Sequence, residues 1–365
     1  MSLAPSVAAG DRAPIGLAAP ANATAFAHRV AEHAASGALR DLLAHHGLSW
    51  SSEPLSEGAI FGLSGALALR ARVARGALPA IDLDGRIASI EPELCRHLQI
   101  TADWCTSDDP AEAWEQLRAE LAAGRPTLVR ADMAELDYRD GGRHDTRHTI
   151  VVTSHEPGEG IVWVADASFP EPQRCSVQSL ARARASAAWP EPSRHGLLRL
   201  RPAASALADP HAAVWAALQR TVNNMRTPPG CEHPHMSSGL EAIDAVAAAW
   251  PQLPAMTGQR LGQTLGALRF RIRDGGTGGA LFRSLQSRFL HDAAALLGSA
   301  RLGRAALVCD DLADAWRALA GALDIEDAVV AHRVAAPWIA RVQGLEHLHV
   351  EALEMQLRTR RASAA

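Results

Sequence analysis

The chain has 365 residues, of which 48% are hydrophobic, so it is long enough to bury a sizeable core and to form two domains of ordinary size. Its formal net charge is -4, and its basic residues are arginines scattered along the sequence, with no lysine. Because no polybasic arm is present, the composition argues against a nucleic-acid or membrane partner and favours small or protein-bound substrates.

The compartment is predicted from the cysteines and from the lack of an export signal. Residues 1–24 are rich in Ala, Pro and Ser and are predicted to form a flexible leader, without the charged start and apolar core of a signal peptide. No later run approaches the roughly 20 apolar residues of a membrane span. An odd number of cysteines, none in a C-x-x-C pair, argues against a disulfide framework and predicts a cytoplasmic protein. They are Cys95, Cys105, Cys175, Cys231 and Cys309.

A helix is predicted from about residue 33 to residue 46, because apolar residues recur there at helical spacing. Its first turn holds only small residues, which leave the free backbone N–H groups accessible. These groups and the helix dipole favour an anion such as a thiolate or a developing oxyanion. The position suits a cysteine, and the residue there is Ala34. The pattern alone favours an ordinary amphipathic helix.

Strands are predicted at 127–131, 148–154 and 160–165, and a tight turn joins the last two. This hairpin places His148, which opens one strand, beside Asp166, which follows the next. Thiol catalysis needs a histidine to exchange the proton and a carboxylate to hold its tautomer, and these two residues suit those roles. A surface His–Asp pair is the alternative interpretation.

Three stretches together resemble the butirosin biosynthesis protein H family. They are His-Ala-Ala-Ser-Gly-Ala-Leu-Arg-Asp-Leu-Leu at 33–43, Ser-Glu-x-x-x-Phe-Gly-Leu-x-Gly at 56–65 and His-Thr-Ile-Val-Val at 148–152. Members of that family typically show His-Cys at the start of the helix, so Ala34 stands where the family has its cysteine. The family pattern also has a histidine opening a Val-Val strand and an aspartate in Val-Ala-Asp, which correspond to His148 and Asp166.

The resemblance implies an α+β fold, with a papain-like (cysteine-peptidase-like) N-terminal domain in which a helix packs on an antiparallel sheet. It also implies acyl transfer from an acyl carrier protein or other thioester donor to the cysteine, and then to a small-molecule amine, without a cofactor. We expect four further residues beside the site to contact substrate. They are His33, Glu57, Tyr138 and His144, of which Glu57 alternatively serves a helix N-terminus.

Other nucleophiles and a metal site are weaker interpretations. Ser36 near the helix start is more often a cap or a solvent group, and Cys175 lies in a connecting segment without a neighbouring base. Cys231, His233 and His235 lie in a proline-rich loop without a second cluster of complementary spacing, so no metal is expected.

A domain boundary is predicted at the composition break of 202–210, which gives an N-terminal domain at 25–202 and an all-α domain at 203–365. Residues 326–361 are predicted to form a last helix, kinked or broken at Pro337, that contributes to a homodimer seam. The glycine-rich loop at 273–283 lacks the lysine and the strand of a nucleotide-binding loop. With the helix after it, the loop resembles the uncharacterised helical domain that commonly follows the butirosin-H-like domain.

Three functional hypotheses remain open at this stage. The first is an acyltransferase of natural-product biosynthesis in which Ala34 replaces a catalytic cysteine. The second is a natural pseudoenzyme whose pocket binds a carrier domain or a small molecule. The third is a thioester or amide hydrolase, because water then takes the place of the amine acceptor.

Overall fold

The computed structural model describes residues 26–74, 76–140, 144, 147–188, 192–201, 207–226 and 235–364. Within these ranges the fold is α+β, and every strand pairing is antiparallel, as predicted. The leader predicted at 1–24 lies outside the described residues. None of the described helices is both long enough and apolar enough to cross a membrane.

The larger sheet has six strands. Its predicted strands at 127–131, 148–154 and 160–165 are all present. The strands are β3 (Thr101–Cys105), β4 (Thr127–Asp132), β5 (Arg147–Glu156), β6 (Ile161–Ala165), β7 (Gln173–Ser176) and β8 (Leu197–Arg201). Their order in the sheet is β3-β8-β4-β5-β6-β7.

Both faces of this sheet are covered, which explains why its strands are continuously apolar. Leu128 and Val151 pack in the core that contains α1 (Ala34–His45), on one face. The neighbouring residues Val129 and Ile150 point the other way and pack with α4 and α5. The helices of this region are α2 (Glu57–Leu63), α3 (Glu91–Leu98), α4 (Pro110–Ala122) and α5 (Val177–Ala185).

The mixture of glycines and apolar residues from Leu55 to Arg72 predicts a second helix that packs on α1 through Gly62 and Gly65, and this prediction is wrong in its second half. After α2 the chain turns at Gly65, whose φ of 59° lies in the left-handed region, and continues as a strand. Glycines and residues that strands accept are mixed in one apolar run, so the hydrophobic period does not distinguish a helix from a strand here. The resulting three-stranded sheet, ordered β2-β1-β9, consists of β1 (Leu67–Val73), β2 (Ile81–Arg86) and β9 (Met236–Ser238).

The C-terminal region is helical, as predicted, apart from the short strand β9. The last helix continues through Pro337, so of the two predicted alternatives the break is wrong. Its exposed Val330, Val334 and Trp338 lie one turn apart, and the homodimer seam there stays a prediction. The helices are α6 (Pro210–Arg226), α7 (Leu240–Ala249), α8 (Gly258–Arg269), α9 (Arg283–Leu296), α10 (Ala300–Ala322) and α11 (Ala328–Ala364).

The N-terminal and C-terminal regions share one hydrophobic core. Helix α2 packs directly on α9, and a Cβ built on Gly62 would lie 1.8 Å from the Phe289 ring. Only a glycine permits this approach. Phe61 on α2 also stacks on Phe282, with ring centroids 5.4 Å apart. The helical region therefore supports the segment that carries Ala34.

Candidate active site

Helix α1 begins at Ala34, which is half-buried, and its N-cap is His33 in an extended conformation. The His33 ring is buried edge-on between Phe61 and Phe282, and its Nδ1 lies 2.8 Å from Ser36 Oγ. Burial lowers the pKa of His33 well below its usual value, and the nearby charges of other basic groups, including His148, add to this. A neutral, enclosed His33 therefore fixes the start of α1, and Ser36 is engaged with it.

Glu57 holds the backbone just before Ala34. Its Oε1 accepts a hydrogen bond of 2.8 Å from the backbone N–H of His33. Burial raises the pKa of Glu57, and the backbone hydrogen bonds from His33 and Glu32 oppose that rise. Since α2 also begins at this residue, Glu57 links the starts of two helices. Its carboxylate thus has a positioning contact within the protein.

The predicted histidine–aspartate pair is formed. His148 Nε2 lies 2.9 Å from Asp166 Oδ1, and Asp166 is completely buried. An ionised carboxylate only accepts hydrogen bonds, so Nε2 carries the proton and Nδ1 remains available for proton exchange. Helix α1 packs against β5, the strand that His148 opens, which brings Ala34 and this histidine to the same end of the sheet.

Asp166 is held by a shell that the sequence pattern only partly indicated. Its Oδ2 accepts hydrogen bonds from the Tyr138 hydroxyl at 2.9 Å and from Arg139 Nη2 at 2.7 Å. Burial alone would raise the pKa of Asp166, but the hydrogen bond from His148 and the charges of His148 and Arg139 lower it strongly. Asp166 is therefore ionised. Tyr138, expected beside substrate, serves this carboxylate, and Arg139 beside it was missed.

His144 is exposed, and its Nδ1 lies 2.9 Å from Asp132 Oδ2. This hydrogen bond raises the pKa of His144, and the charge of Asp132 adds to the effect. The residue belongs to the rim of a cavity next to α1. It is therefore separate from the shell of Asp166.

Sequence reasoning also missed His28, whose ring contacts the backbone carbonyl oxygen of Asp166. His28 Nδ1 lies 2.8 Å from Asp41 Oδ2, and Nε2 lies 3.1 Å from the carbonyl oxygen of Asp166 and 3.0 Å from that of Phe169. All three partners only accept hydrogen bonds, so both ring nitrogens are protonated. Burial lowers the pKa of His28, but its hydrogen bond to Asp41 and the charge of that residue outweigh burial and raise it.

We expect the stabilising effect of His28 to fade as the pH rises. Because its pKa is raised by folding, its contribution is complete below the unfolded-state pKa of about 6.5 and is lost as the pH passes through the higher folded pKa. Urea unfolding of the parent and of His28→Gln at several pH values checks this. The difference in free energy of unfolding should shrink from pH 5.5 to pH 9, and a difference that grows with pH would contradict it.

The other nucleophile and ligand candidates stay apart from this site. Burial raises the pKa of Cys95 and of Cys175 to about 12, so neither thiol is a ready nucleophile. Cys231 and His233, which were weighed as metal ligands, lie outside the described residues. In the part of the chain that the structure describes, no group of three or more His, Cys, Asp or Glu side chains is arranged to hold a metal.

A helix packed on an antiparallel sheet, with a buried histidine–aspartate pair at one end, defines the chain as a papain-like α+β protein. Residues 33–167 match the family model described as "Butirosin biosynthesis protein H, N-terminal". Residues 178–353 match the model described as "Domain of unknown function (DUF4872)". The chain therefore belongs to the butirosin-H-like family in which this uncharacterised domain follows the N-terminal domain. No curated protein matches the chain.

Proposed function

We propose that this chain belongs to an acyltransferase of natural-product biosynthesis whose nucleophile position is Ala34. The observation that carries the proposal is the placement of Ala34 at the start of α1, which packs on the strand opened by His148, whose Nε2 is bound to Asp166. The family's cysteine falls at the same position. A carrier-protein thioester is the proposed donor, and a small-molecule amine is the proposed acceptor.

With a cysteine at position 34, the chemistry follows from these contacts. His148 Nδ1 takes the thiol proton, and the thiolate attacks the thioester carbonyl carbon, while the helix N-terminus stabilises the developing oxyanion. The carrier thiol leaves with the proton from His148, so the acyl group is now on the protein. The amine then attacks this thioester, loses a proton to Nδ1, and the protein thiolate is released and reprotonated. Asp166 keeps Nε2 protonated throughout.

Alanine at position 34 carries no nucleophile, and this favours a second candidate function. A chain with this residue keeps the His148–Asp166 pair and the pocket but forms no acyl-enzyme, so it acts by binding a carrier domain or a small molecule. Hydrolysis is the remaining alternative, since water in place of the amine gives a carboxylic acid.

The test is to install the thiol. We expect Ala34→Cys to gain the mass of one acyl group per chain when it is incubated with an acyl N-acetylcysteamine thioester, measured by intact-protein mass spectrometry. The parent protein, with Ala34, is the blank that measures acylation of the native cysteines. Transfer is then read by adding an amine and following loss of the adduct, with water alone as the comparison that detects hydrolysis.

Ala44→Cys is the matched control, because Ala44 is half-buried on the same helix but near its C-terminal end. A thiol there meets the negative end of the helix dipole and should not be acylated faster than the parent. Equal acylation of the two variants, or none for Ala34→Cys with any acyl donor, would overturn the acyltransferase proposal. Binding of a donor by the parent without turnover of Ala34→Cys would instead support the pseudoenzyme.

A further inference from the structure

A cavity of about 660 Å³ lies between the N-terminal and helical regions and borders the candidate active site. Ala35 and Thr149, the neighbours of Ala34 and His148, line one side of it. Gly275 and Thr277 of the glycine-rich loop also line it. The glycine-rich loop, which lacks the lysine and the strand of a nucleotide-binding loop, thus forms part of the wall of this cavity next to α1.

Most of the charged side chains in this cavity have partners. Arg70 Nη2 lies 2.5 Å from Asp84 Oδ2, and Arg271 Nε lies 3.0 Å from Asp82 Oδ1. Arg130 stacks on the Trp104 ring, with its guanidinium carbon 4.0 Å from the ring centroid. Two charged residues of opposite sign are left, Arg86 and Glu91.

Arg86 has no carboxylate partner among the described residues. Its Nη1 donates to the carbonyl oxygens of Ile87 and Ala88, at 2.7 and 2.9 Å. Its guanidinium carbon lies 5.6 Å from the centroid of the Phe282 ring, which packs on His33. Burial is the main cause of the low pKa of His33, and the positive charge of Arg86 lowers it further. The Arg86 guanidinium therefore lies close to the start of α1.

Glu91 is only 3% exposed, yet its Oε2 has no hydrogen-bond partner within the described part of the chain. An unpaired buried carboxylate is costly, and native proteins rarely leave one without a ligand or water. Arg86 is only five residues away in sequence, but the two side chains form no ion pair. Within the described part of the chain, the cavity lining therefore contains a guanidinium without a carboxylate partner, Arg86, and a buried carboxylate with an unsatisfied oxygen, Glu91.

We infer that this cavity binds a zwitterionic group, with Arg86 contacting its acid and Glu91 contacting its ammonium. The inference rests on the proposed function, because it makes this group part of the acyl donor or of the amine acceptor that reaches position 34. Arg86 and Glu91 are then residues that determine substrate specificity. A ligand carrying only one of the two charges leaves the other side chain unmatched, which is the basis of discrimination.

The parent protein with Ala34 serves for the test, because no turnover is needed. The probes are glycine, β-alanine, 5-aminopentanoate and 6-aminohexanoate, each compared with the carboxylic acid and the alkylamine of the same chain length. Saturation-transfer NMR and calorimetry measure binding. At least one amino acid should bind ten-fold more tightly than both of its single-charge analogues, and a series without such a preference would overturn the inference.

Two variants assign the contacts. Arg86→Met should reduce the affinity of the preferred amino acid to that of its amine analogue, and Glu91→Gln should reduce it to that of its acid analogue. Arg317→Met, at an exposed ion pair on α10, is the control and should leave binding unchanged. If Arg86 and Glu91 only interact with each other through water, both variants will lower the unfolding midpoint without altering ligand preference, and the inference fails.

This experiment is separate from the test of acyl transfer. Binding of zwitterions by the parent, with no acylation of Ala34→Cys, would keep the site and reject the acyltransferase. Acylation of Ala34→Cys without any preference for zwitterions would support the acyltransferase and reject the zwitterion site.

Discussion

Replacing Arg283 by methionine is expected to lower the free energy of unfolding by about 3–5 kcal/mol, the range found when one partner of a buried ion pair is removed. Arg283 and Glu346 are both completely inaccessible, and Arg283 Nε donates to Glu346 Oε1 at 2.8 Å. Among the described residues, the variant leaves the Glu346 carboxylate in the core with only the Trp316 indole N–H, at 2.8 Å, as a donor. That group cannot balance a buried charge.

Urea unfolding followed by circular dichroism measures this effect. Arg288→Met is the matched control on the same helix, because Arg288 pairs with Glu32 at a half-exposed position and should cost no more than about 1 kcal/mol. The double variant Arg283→Met/Glu346→Gln should recover part of the loss, since it removes the unpaired charge. A loss in Arg283→Met no larger than that in Arg288→Met would show that Glu346 finds another partner or is protonated.

In the Ala34→Cys background, Asp166→Ala is expected to slow acylation by roughly 10²–10⁴-fold, the range typical for losing general-base function or the residue that orients it. Without Asp166, His148 Nε2 has lost its acceptor at 2.9 Å, and the ring is free to adopt the tautomer with Nδ1 protonated. That tautomer cannot accept the thiol proton. The rate of mass increase under single-turnover conditions measures the effect.

Tyr138→Phe is the control for this prediction, because it removes one hydrogen bond to Asp166 and leaves the carboxylate and its bond to His148 in place. We expect less than a ten-fold loss of acylation rate there, because Arg139 Nη2 and the backbone N–H of Ser168 still donate to Asp166. Circular dichroism confirms that each variant is folded. Equal rates for Asp166→Ala and Tyr138→Phe would mean that Asp166 does not orient the histidine.

The part of the site that the sequence predicted is the part made by neighbouring strands. His148 and Asp166 flank one hairpin, so two short apolar runs joined by a tight turn were enough to pair them. Arg139 and His28 were missed because they reach Asp166 from loops. The contact of His28 with the Asp166 carbonyl spans 138 residues, and no periodic pattern records such a contact.

The errors in the fold have the same cause. The sequence pattern predicts that Gly62 and Gly65 form the contact of one helix with α1. In the structure Gly62 accommodates Phe289 from α9, and Gly65 turns the chain into β1. The pattern showed that these positions needed glycine, but not which partner required it. The three-residue strand β9 is too short to give any alternation.

The close approach of Gly62 to Phe289 also bears on how this protein can be divided. The first family match ends at residue 167 and the second begins at residue 178, but the chain does not divide there, because α2 and α9 share one hydrophobic core. Cutting between the matched segments would expose the ring of Phe289 on one fragment and a flat apolar helix face on the other. The boundary between the matched segments is therefore not a boundary of the hydrophobic core, because residues of both segments form one cluster.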